Sequence, residues 1–384
     1  MFYKFLNYLN SIKSFPYYFV TPLPYGIGTC AKHILLSICI KSKKEIILLY
    51  PNILKKFFNY NICNRYLFDQ IIIDEFPQSK YKFLKKVITF LINIEFIIRR
   101  IIFFLFNSFN IKLGEQFRFP LIGVLPIFIN NEKKKISLNT QISINIDLEK
   151  NENEKFMKFL HSIGIEKNQK YVCLHVRDNF YYKDNERRPF RNSGVNNYVD
   201  LVNYLIKNNY FVIRLGRNSK KFKFNNKNFF DYSEFFEKED FIELALIKYC
   251  SFYLGTQSGP LDLAMLFDKP IYLTNVVRLF ETFPKKKNSS SIFKTIKWKN
   301  SNEKISFKNY IKMPLKYHHH RFIDDSLDFI ENTPEELYFS LIEFLKNLEI
   351  PTYRINNMQL NFNKQLLTEY KENKILINNK DYMD

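Results

Sequence analysis

The chain has 384 residues, of which 46% are hydrophobic and 25% are charged, and it carries a formal net charge of +20. This composition excludes a disordered chain, and the length exceeds what one ordinary core organises, so two domains are expected. The positive charge favours an anionic partner, but it is spread along the chain without a nucleic-acid-binding motif, so nucleic acid is not expected as a partner.

The amino half begins with a strand, a loop and a helix. Tyr17–Val20 is predicted as a strand, 31–40 as an apolar helix and 46–50 as a second strand. The loop before the helix contains Gly26 and Gly28. Two glycines one residue apart suit a ligand-binding loop or a tight strand-to-helix turn, and they do not make a dinucleotide fingerprint.

Residues 81–107 form the most apolar stretch, and a short strand is predicted just before it, at 70–74. Glu95, Arg99 and Arg100 interrupt the stretch, so no run of about 18 apolar residues exists and a transmembrane span is not predicted. Two interpretations remain. One is a long, mostly buried helix packed on a sheet, and the other is an interfacial helix whose Lys and Arg rim faces anionic lipid.

A polar, Asn-rich segment at 130–154 is interpreted as a solvated connection between the domains. The predicted domains are therefore 1–155 and 156–348, followed by a partly helical tail at 349–384. Five cysteines without a C-x-x-C pair favour a reducing compartment, with neither a disulfide framework nor a zinc site. The first twenty residues lack a secretory signal pattern, so a cytoplasmic location is expected.

Strands and helices alternate through the carboxy half. This order predicts a parallel sheet covered by helices, with ligands at the carboxyl ends of the strands. The predicted strands are 171–176, 210–215, 229–232, 252–254 and 271–273, and the predicted helices are 196–207, 239–249 and 260–267.

A loop of small and hydroxyl residues, Gly255–Gly259, lies between a predicted strand and a predicted helix. The free N–H groups and the dipole at a helix N-terminus suit a phosphate, and the Thr256 and Ser258 hydroxyls would add donors. A plain turn capped by either hydroxyl fits the same residues.

A second candidate group follows the strand 171–176. His175 and Arg177 are two residues apart, so their side chains share a face, and the Arg177 guanidinium suits a diphosphate. The alternative is an Arg paired with an acidic neighbour beside a His satisfied by the backbone. A cleft-facing Arg177 is expected to contribute little to stability. The following loop, 178–193, is long, polar and basic, as an active-site loop would be.

Two further motifs have mainly structural explanations. His318–His320 suits a surface loop better than a metal site, because three consecutive side chains cannot easily face one ion. Thr333, Pro334 and Glu336 predict a capping box at the start of a helix.

Six segments of the chain carry a family resemblance. They are HVRD (175–178), RNSGVNNY (191–198), VIRLG (212–216), the pair Asp231-Tyr232, FYLGTQSGP (252–260) and LTN (273–275). Together they resemble a family of bacterial glycosyltransferases of surface-polysaccharide gene clusters, with more distant similarity to fucosyltransferase-like enzymes and heptosyltransferases. The resemblance covers about 170–345 well and the first 150 residues weakly. Asp178 stands where fucosyltransferase-like enzymes often have a second Arg, which makes a fucose donor doubtful.

The resemblance implies the α/β fold called GT-B, in which two Rossmann-like domains face a cleft. It implies a nucleotide sugar as co-substrate, no cofactor and no metal. Arg177 would neutralise the departing diphosphate, and His175, Asp178 and Glu186 are alternative bases for the acceptor hydroxyl. The implied donor-binding residues are Arg177, Arg191, Asn192, Gly216, Thr256, Gln257, Ser258 and Gly259, with Gly26 and Gly28 from the amino half.

The expected function is transfer of a sugar from a nucleotide-diphosphate sugar to a cell-surface glycan or a lipid-linked acceptor. The alternatives are a sugar-nucleotide epimerase on the same fold and a non-catalytic, basic scaffold at the membrane surface. Peripheral contact with the anionic inner face of the membrane is compatible with each of these functions.

Overall fold

The structure is a computed structural model that describes residues 2–22, 26–40, 44–49, 63–73, 75–109, 144–146, 148–179, 189–216, 220–235, 238–277, 288–313, 325–349 and 361. The described residues form two compact units. The amino unit contains those up to 149 together with Leu266–Asp268, and the carboxy unit contains those from 150 to 265 and from 269 onward.

The amino unit contains two small sheets. Strands β1 and β2 pair in parallel, and β3 pairs in antiparallel fashion with both β4 and β5. Buried apolar side chains of α1, β1, β2 and α4 form its core. The elements are α1 (Phe2–Ser11), β1 (Tyr17–Val20), α2 (Ile27–Ile40), β2 (Glu45–Leu48), α3 (Tyr66–Asp69), β3 (Ile71–Ile73), β4 (Phe76–Pro77), a 3-10 turn (Gln78–Tyr81), α4 (Lys82–Ser108) and β5 (Ile144–Ile146).

The carboxy unit is built on a six-stranded parallel sheet of order β11-β10-β9-β6-β7-β8. The predicted α/β class is therefore confirmed. The strands are β6 (Tyr171–His175), β7 (Phe211–Arg214), β8 (Phe229–Asp231), β9 (Phe252–Gly255), β10 (Ile271–Val276) and β11 (Ser290–Phe293), and β12 (Thr295–Trp298) pairs with β13 (Leu327–Ile330) in a separate antiparallel ribbon.

The helices of this unit cover the parallel sheet because their apolar faces need burial. Side chains of α6 and α10 join those of the strands in one core, in which Phe344 contacts Phe252 and Tyr272. The helices are α5 (Lys150–Ser162), α6 (Val199–Lys207), α7 (Asp240–Tyr249), α8 (Gly259–Leu266), α9 (Phe307–Ile311) and α10 (Pro334–Glu349). Short 3-10 turns occur at Pro189–Arg191, Val195–Tyr198 and Tyr232–Glu234.

The capping box at the start of α10 is confirmed. The Thr333 N–H donates to Glu336 Oε2 at 3.0 Å, and the Glu336 N–H donates to Thr333 Oγ1 at 3.2 Å. Two N–H groups that a helix start would leave unsatisfied are thus bonded reciprocally. Pro334 occupies the first helical position, where a missing N–H costs nothing.

Three elements differ from the prediction. The end of the segment interpreted as a polar connection is helical, since α5 begins at Lys150 and buries Phe156 and Phe159. Gly28 lies in the first turn of α2 rather than in the loop before it. The long apolar helix forms as predicted, but it is not mostly buried, because many of its large apolar side chains are exposed. None of the helices in the described ranges combines the length and the apolar character needed to cross a bilayer.

Candidate functional site at the carboxyl edge of the parallel sheet

The candidate site lies where β6 and β9 end side by side. Gly255 pairs with His175, and a Cβ at this glycine would lie only 2.1 Å from the His175 carbonyl oxygen. No other residue type fits that space, so the close approach of the two strands explains the glycine. The Thr256 N–H then donates to the same His175 carbonyl oxygen at 3.0 Å, which fixes the start of the 255–259 loop.

Thr256 and Gln257 hold this loop in place. Thr256 is fully buried, and its hydroxyl oxygen accepts the Arg177 N–H at 2.8 Å. Gln257 is 3% exposed, and its Oε1 accepts the Val277 N–H at 3.1 Å. The predicted role of these two side chains in donor binding stays a prediction, but their observed contacts join β6, β9 and β10.

Ser258 and Gly259 are the more accessible part of the loop, at the N-terminus of α8. The Ser258 hydroxyl lies 2.9 Å from His175 Nδ1. Burial of the ring, followed by the charges of Arg214 and Arg177, lowers the pKa of His175 to about 3. The imidazole is therefore neutral at physiological pH, and a group of such low pKa is a weak general base.

Arg177 follows β6 and is 5% exposed. Its guanidinium donates from Nη1 to Asn192 Oδ1, and its carbonyl oxygen accepts the Ser193 N–H at 2.9 Å. The neighbouring Arg191 donates from Nη2 to the Gln257 carbonyl oxygen at 2.7 Å. Arg177, Arg191, Asn192 and Gln257 thus lie together, and their role in donor binding stays a prediction.

Lys294 is a basic residue at this edge that the sequence reasoning missed. It is 4% exposed, its N–H donates to the Val276 carbonyl oxygen at 3.0 Å, and its Nζ donates to the Asn192 carbonyl oxygen at 2.7 Å. Asn192 therefore accepts from both Lys294 and Arg177. Burial is the main cause that lowers the pKa of Lys294 to about 8; Arg177 lowers it further, while Glu331 and Asp328 oppose the shift.

A buried ion pair closes the other side of the same edge. Arg214, at the end of β7, is 1% exposed and donates from Nη1 to Asp231 Oδ2 at 2.7 Å. Its Nη2 donates to the Lys220 carbonyl oxygen at 2.6 Å. The predicted donor residue Gly216 is buried, and its carbonyl oxygen accepts from Lys238 Nζ at 2.8 Å.

The predicted bases are placed differently. Asp178 follows Arg177, is partly exposed and accepts the Lys220 N–H at 2.7 Å through Oδ2. Glu186 and His318–His320 lie outside the described residues.

Gly26 and Gly28 belong to the amino unit, so the carboxy unit does not include them in its site. Across the described ranges, no group of three or more His, Cys, Asp and Glu side chains is arranged to hold a metal ion.

A surface depression opens at the opposite edge of the sheet. It is lined by segments that precede β6 and β7, including Lys170 and Tyr210, and by Lys346 and Glu349 of α10. Both signs of charge line it, and parallel sheets bind ligands at the carboxyl ends of their strands. The Arg177 edge is therefore the stronger candidate.

No family model matches the chain, and no curated protein matches it. The solved structures that are similar to it include the following two. One is the glycosyl transferase family 9 structure from Veillonella parvula DSM 2008, with a TM-score of 0.42, 11% identity, and coverage of 74% of this chain and 88% of that chain. The other is the E. coli ADP-heptose LPS heptosyltransferase II, with a TM-score of 0.43, 11% identity, and coverage of 87% and 100%.

Proposed function

We propose that this chain is a glycosyltransferase of the GT-B type, which moves a sugar from a nucleotide-diphosphate sugar to a cell-surface glycan or a lipid-linked acceptor. The observation that carries the proposal is the pair of buried cations, Arg177 and Lys294, joined through Asn192 at the carboxyl edge of the parallel sheet. Burying cations is costly, and a Lys whose pKa is lowered by burial, as that of Lys294 is, is typical of functional sites. A diphosphate is the anion whose charge two such cations match.

The proposed reaction follows from these groups. The bond between the anomeric carbon and the β-phosphate oxygen breaks, and the acceptor oxygen bonds to the anomeric carbon. Arg177 and Lys294 stabilise the charge left on the departing diphosphate, with the N-terminus of α8 beside Ser258 as a further anion-stabilising group. The proton of the acceptor hydroxyl passes to a general base, for which we favour the partly exposed carboxylate of Asp178.

Nucleotide binding gives the first test. UDP, GDP, ADP and CMP are titrated into the full chain by isothermal calorimetry, and one nucleoside diphosphate is expected to bind. Arg177→Ala should weaken that binding by about tenfold to over a hundredfold, because a charge-assisted hydrogen bond contributes about 1.5–3 kcal/mol. Arg177→Lys should recover only part, since an ammonium lacks the planar fork.

Stability must be measured on the same variants. Arg177 is 5% exposed and bonded to Asn192, so the expectation of little effect on stability does not hold, and Arg177→Ala should also lower the melting temperature. The matched control is Lys207→Ala, which removes one positive charge from the exposed end of α6. Unchanged nucleotide affinity in folded Arg177→Ala would remove this residue from the proposed site.

Turnover gives the second test. Labelled sugar nucleotides should release their nucleotide in the presence of an acceptor, and slow hydrolysis should occur without one. Because Arg177 and Lys294 supply the counter-charge, activity should survive EDTA. Isomerised sugar nucleotide would indicate an epimerase instead, and nucleotide binding without any turnover would indicate a scaffold.

A further inference from the structure

The amino unit exposes an apolar face along α4. Phe83, Val87, Phe90, Ile94, Ile98 and Ile101 are all at least 40% exposed, and Phe83 reaches 80%. Their spacing of four, three, four, four and three residues places them on one side of the helix. We call these six residues the α4 apolar face. Contiguous exposed apolar surface of this kind marks an interaction site.

The opposite side of α4 packs against the amino unit along the first half of the helix. Lys85, Ile88 and Ile92 are buried there, at spacings of three and four residues. Beyond Ile92, none of the side chains that the structure describes in α4 is buried. Phe104, Leu105 and Phe106 in the second half are also exposed, so the apolar surface of α4 extends beyond the six residues of this face.

Basic residues border this face. Lys82 and Lys86 are exposed, and on a helix Lys86 falls beside Phe83 and Phe90 rather than opposite them. The acidic residue of α4, Glu95, is engaged by Arg99 at 2.5 Å. Residues 1–109 as a whole contain 15 Lys and Arg against five Asp and Glu.

We propose that the α4 apolar face docks on an anionic phospholipid surface, with the helix lying in the plane of the membrane. The combination of exposed aromatic and aliphatic side chains with a Lys border matches an interfacial helix, in which apolar burial and attraction to anionic lipid act together. A second copy of the chain is a poorer match, because each copy would bring the same positive border. The proposal is independent of sugar transfer.

The test is co-sedimentation of the full chain with vesicles. Binding is expected with phosphatidylcholine vesicles that contain phosphatidylglycerol, with at least about tenfold weaker binding in molar salt or without the anionic lipid. Phe83→Asp combined with Phe90→Asp should reduce binding by at least about tenfold at unchanged melting temperature, because both side chains are exposed. Lys82→Glu combined with Lys86→Glu should also weaken binding at low salt.

Each of the single variants Phe83→Asp and Phe90→Asp should also weaken binding, and their matched control is Phe339→Asp, which places one negative charge at an aromatic residue of α10 that is 68% exposed and should bind vesicles like the wild type. Absence of binding at low salt would overturn the proposal, as would equal binding to vesicles without anionic lipid. Wild-type binding by the Phe83→Asp, Phe90→Asp variant would do the same. A dimer that this variant dissociates, without vesicle binding, would assign the face to a second copy and also overturn it.

Discussion

Lys294 makes the proposed nucleotide site sensitive to pH. Burial lowers its pKa to about 8 from 10.5, so the side chain loses its charge well below the range in which an exposed Lys does. If the ammonium stabilises a bound diphosphate, the nucleotide should bind tightly below pH 8 and weakly above it. The charged fraction falls from about 0.9 at pH 7 to about 0.1 at pH 9, which predicts about a tenfold loss of affinity.

Calorimetry at pH 7 and pH 9 measures this loss directly. At pH 9 the binding of one nucleotide should also take up about 0.9 of a proton, which titrations in buffers of different ionisation enthalpy detect. Lys294→Met should bind more weakly at pH 7 and show no loss between the two pH values. The control Lys207→Met, at the exposed end of α6, should keep the wild-type profile.

The same shift has a signature in the free protein. The unfolded chain keeps the Lys294 proton up to about pH 10.5, whereas the folded chain releases it near pH 8. The unfolded state therefore binds more protons between these values, and the free energy of unfolding should rise with pH through this window. Lys294→Met should lose the Lys294 contribution to that rise, while Lys44, Lys85 and Lys248, whose pKa is also lowered by burial, keep theirs. If Lys294→Met kept the full loss of nucleotide affinity between pH 7 and pH 9 and the full rise in the free energy of unfolding, neither effect could be assigned to Lys294.

Three substitutions test the structural supports of the site by urea unfolding. Gly255→Ala should lower the free energy of unfolding by roughly 3 kcal/mol or more, because its Cβ would meet the His175 carbonyl oxygen at 2.1 Å. The control Gly194→Ala, whose Cβ has its nearest contact at 3.6 Å, should change that free energy by about 0.5 kcal/mol or less. Equal effects of the two substitutions would contradict the close approach of the strands at Gly255. Thr333→Ala should cost about 1 kcal/mol through loss of the α10 cap, and no change would mean that water replaces it. Asp231→Ala should lower the free energy of unfolding by about 3–5 kcal/mol, since it leaves the buried charge of Arg214 without this carboxylate. Asp231→Asn should lower it less, because the amide keeps an acceptor for Arg214. A smaller loss in the Ala variant would show that water or another group compensates the charge of Arg214.

The parallel sheet of the carboxy unit could be predicted because its strands are short apolar runs ended by polar or small residues. Tyr171–His175 and Phe252–Gly255 are examples, and their alternation with helices fixes the parallel order. Because ligands bind at the carboxyl ends of parallel strands, the sequence alone predicts that Arg177 and the 255–259 loop lie close together. For this reason the sequence located Arg177 beside Thr256, which its N–H contacts.

Other features needed the tertiary structure. Lys294 follows Ser290–Phe293, a half-buried strand without a distinct apolar run, and only the parallel pairing with β10 brings it to Asn192. The orientation of the Thr256 hydroxyl toward Arg177 likewise depends on a contact between residues far apart in sequence. In α4 the apolar residues are so numerous that periodicity predicts a helix but not which side is covered.

The fold places the Lys294 side chain where its charged form is disfavoured. Burial and the nearby Arg177 lower the pKa of Lys294, which means that the folded protein destabilises the ammonium relative to water. A bound diphosphate would reverse this, because an adjacent anion favours the charged form. The attraction between the bound diphosphate and the ammonium would then offset the free energy lost on burying the cation. By the same coupling, the bound nucleotide would raise the pKa of Lys294. Affinity for the nucleotide and the protonation of Lys294 are therefore two measurements of one interaction.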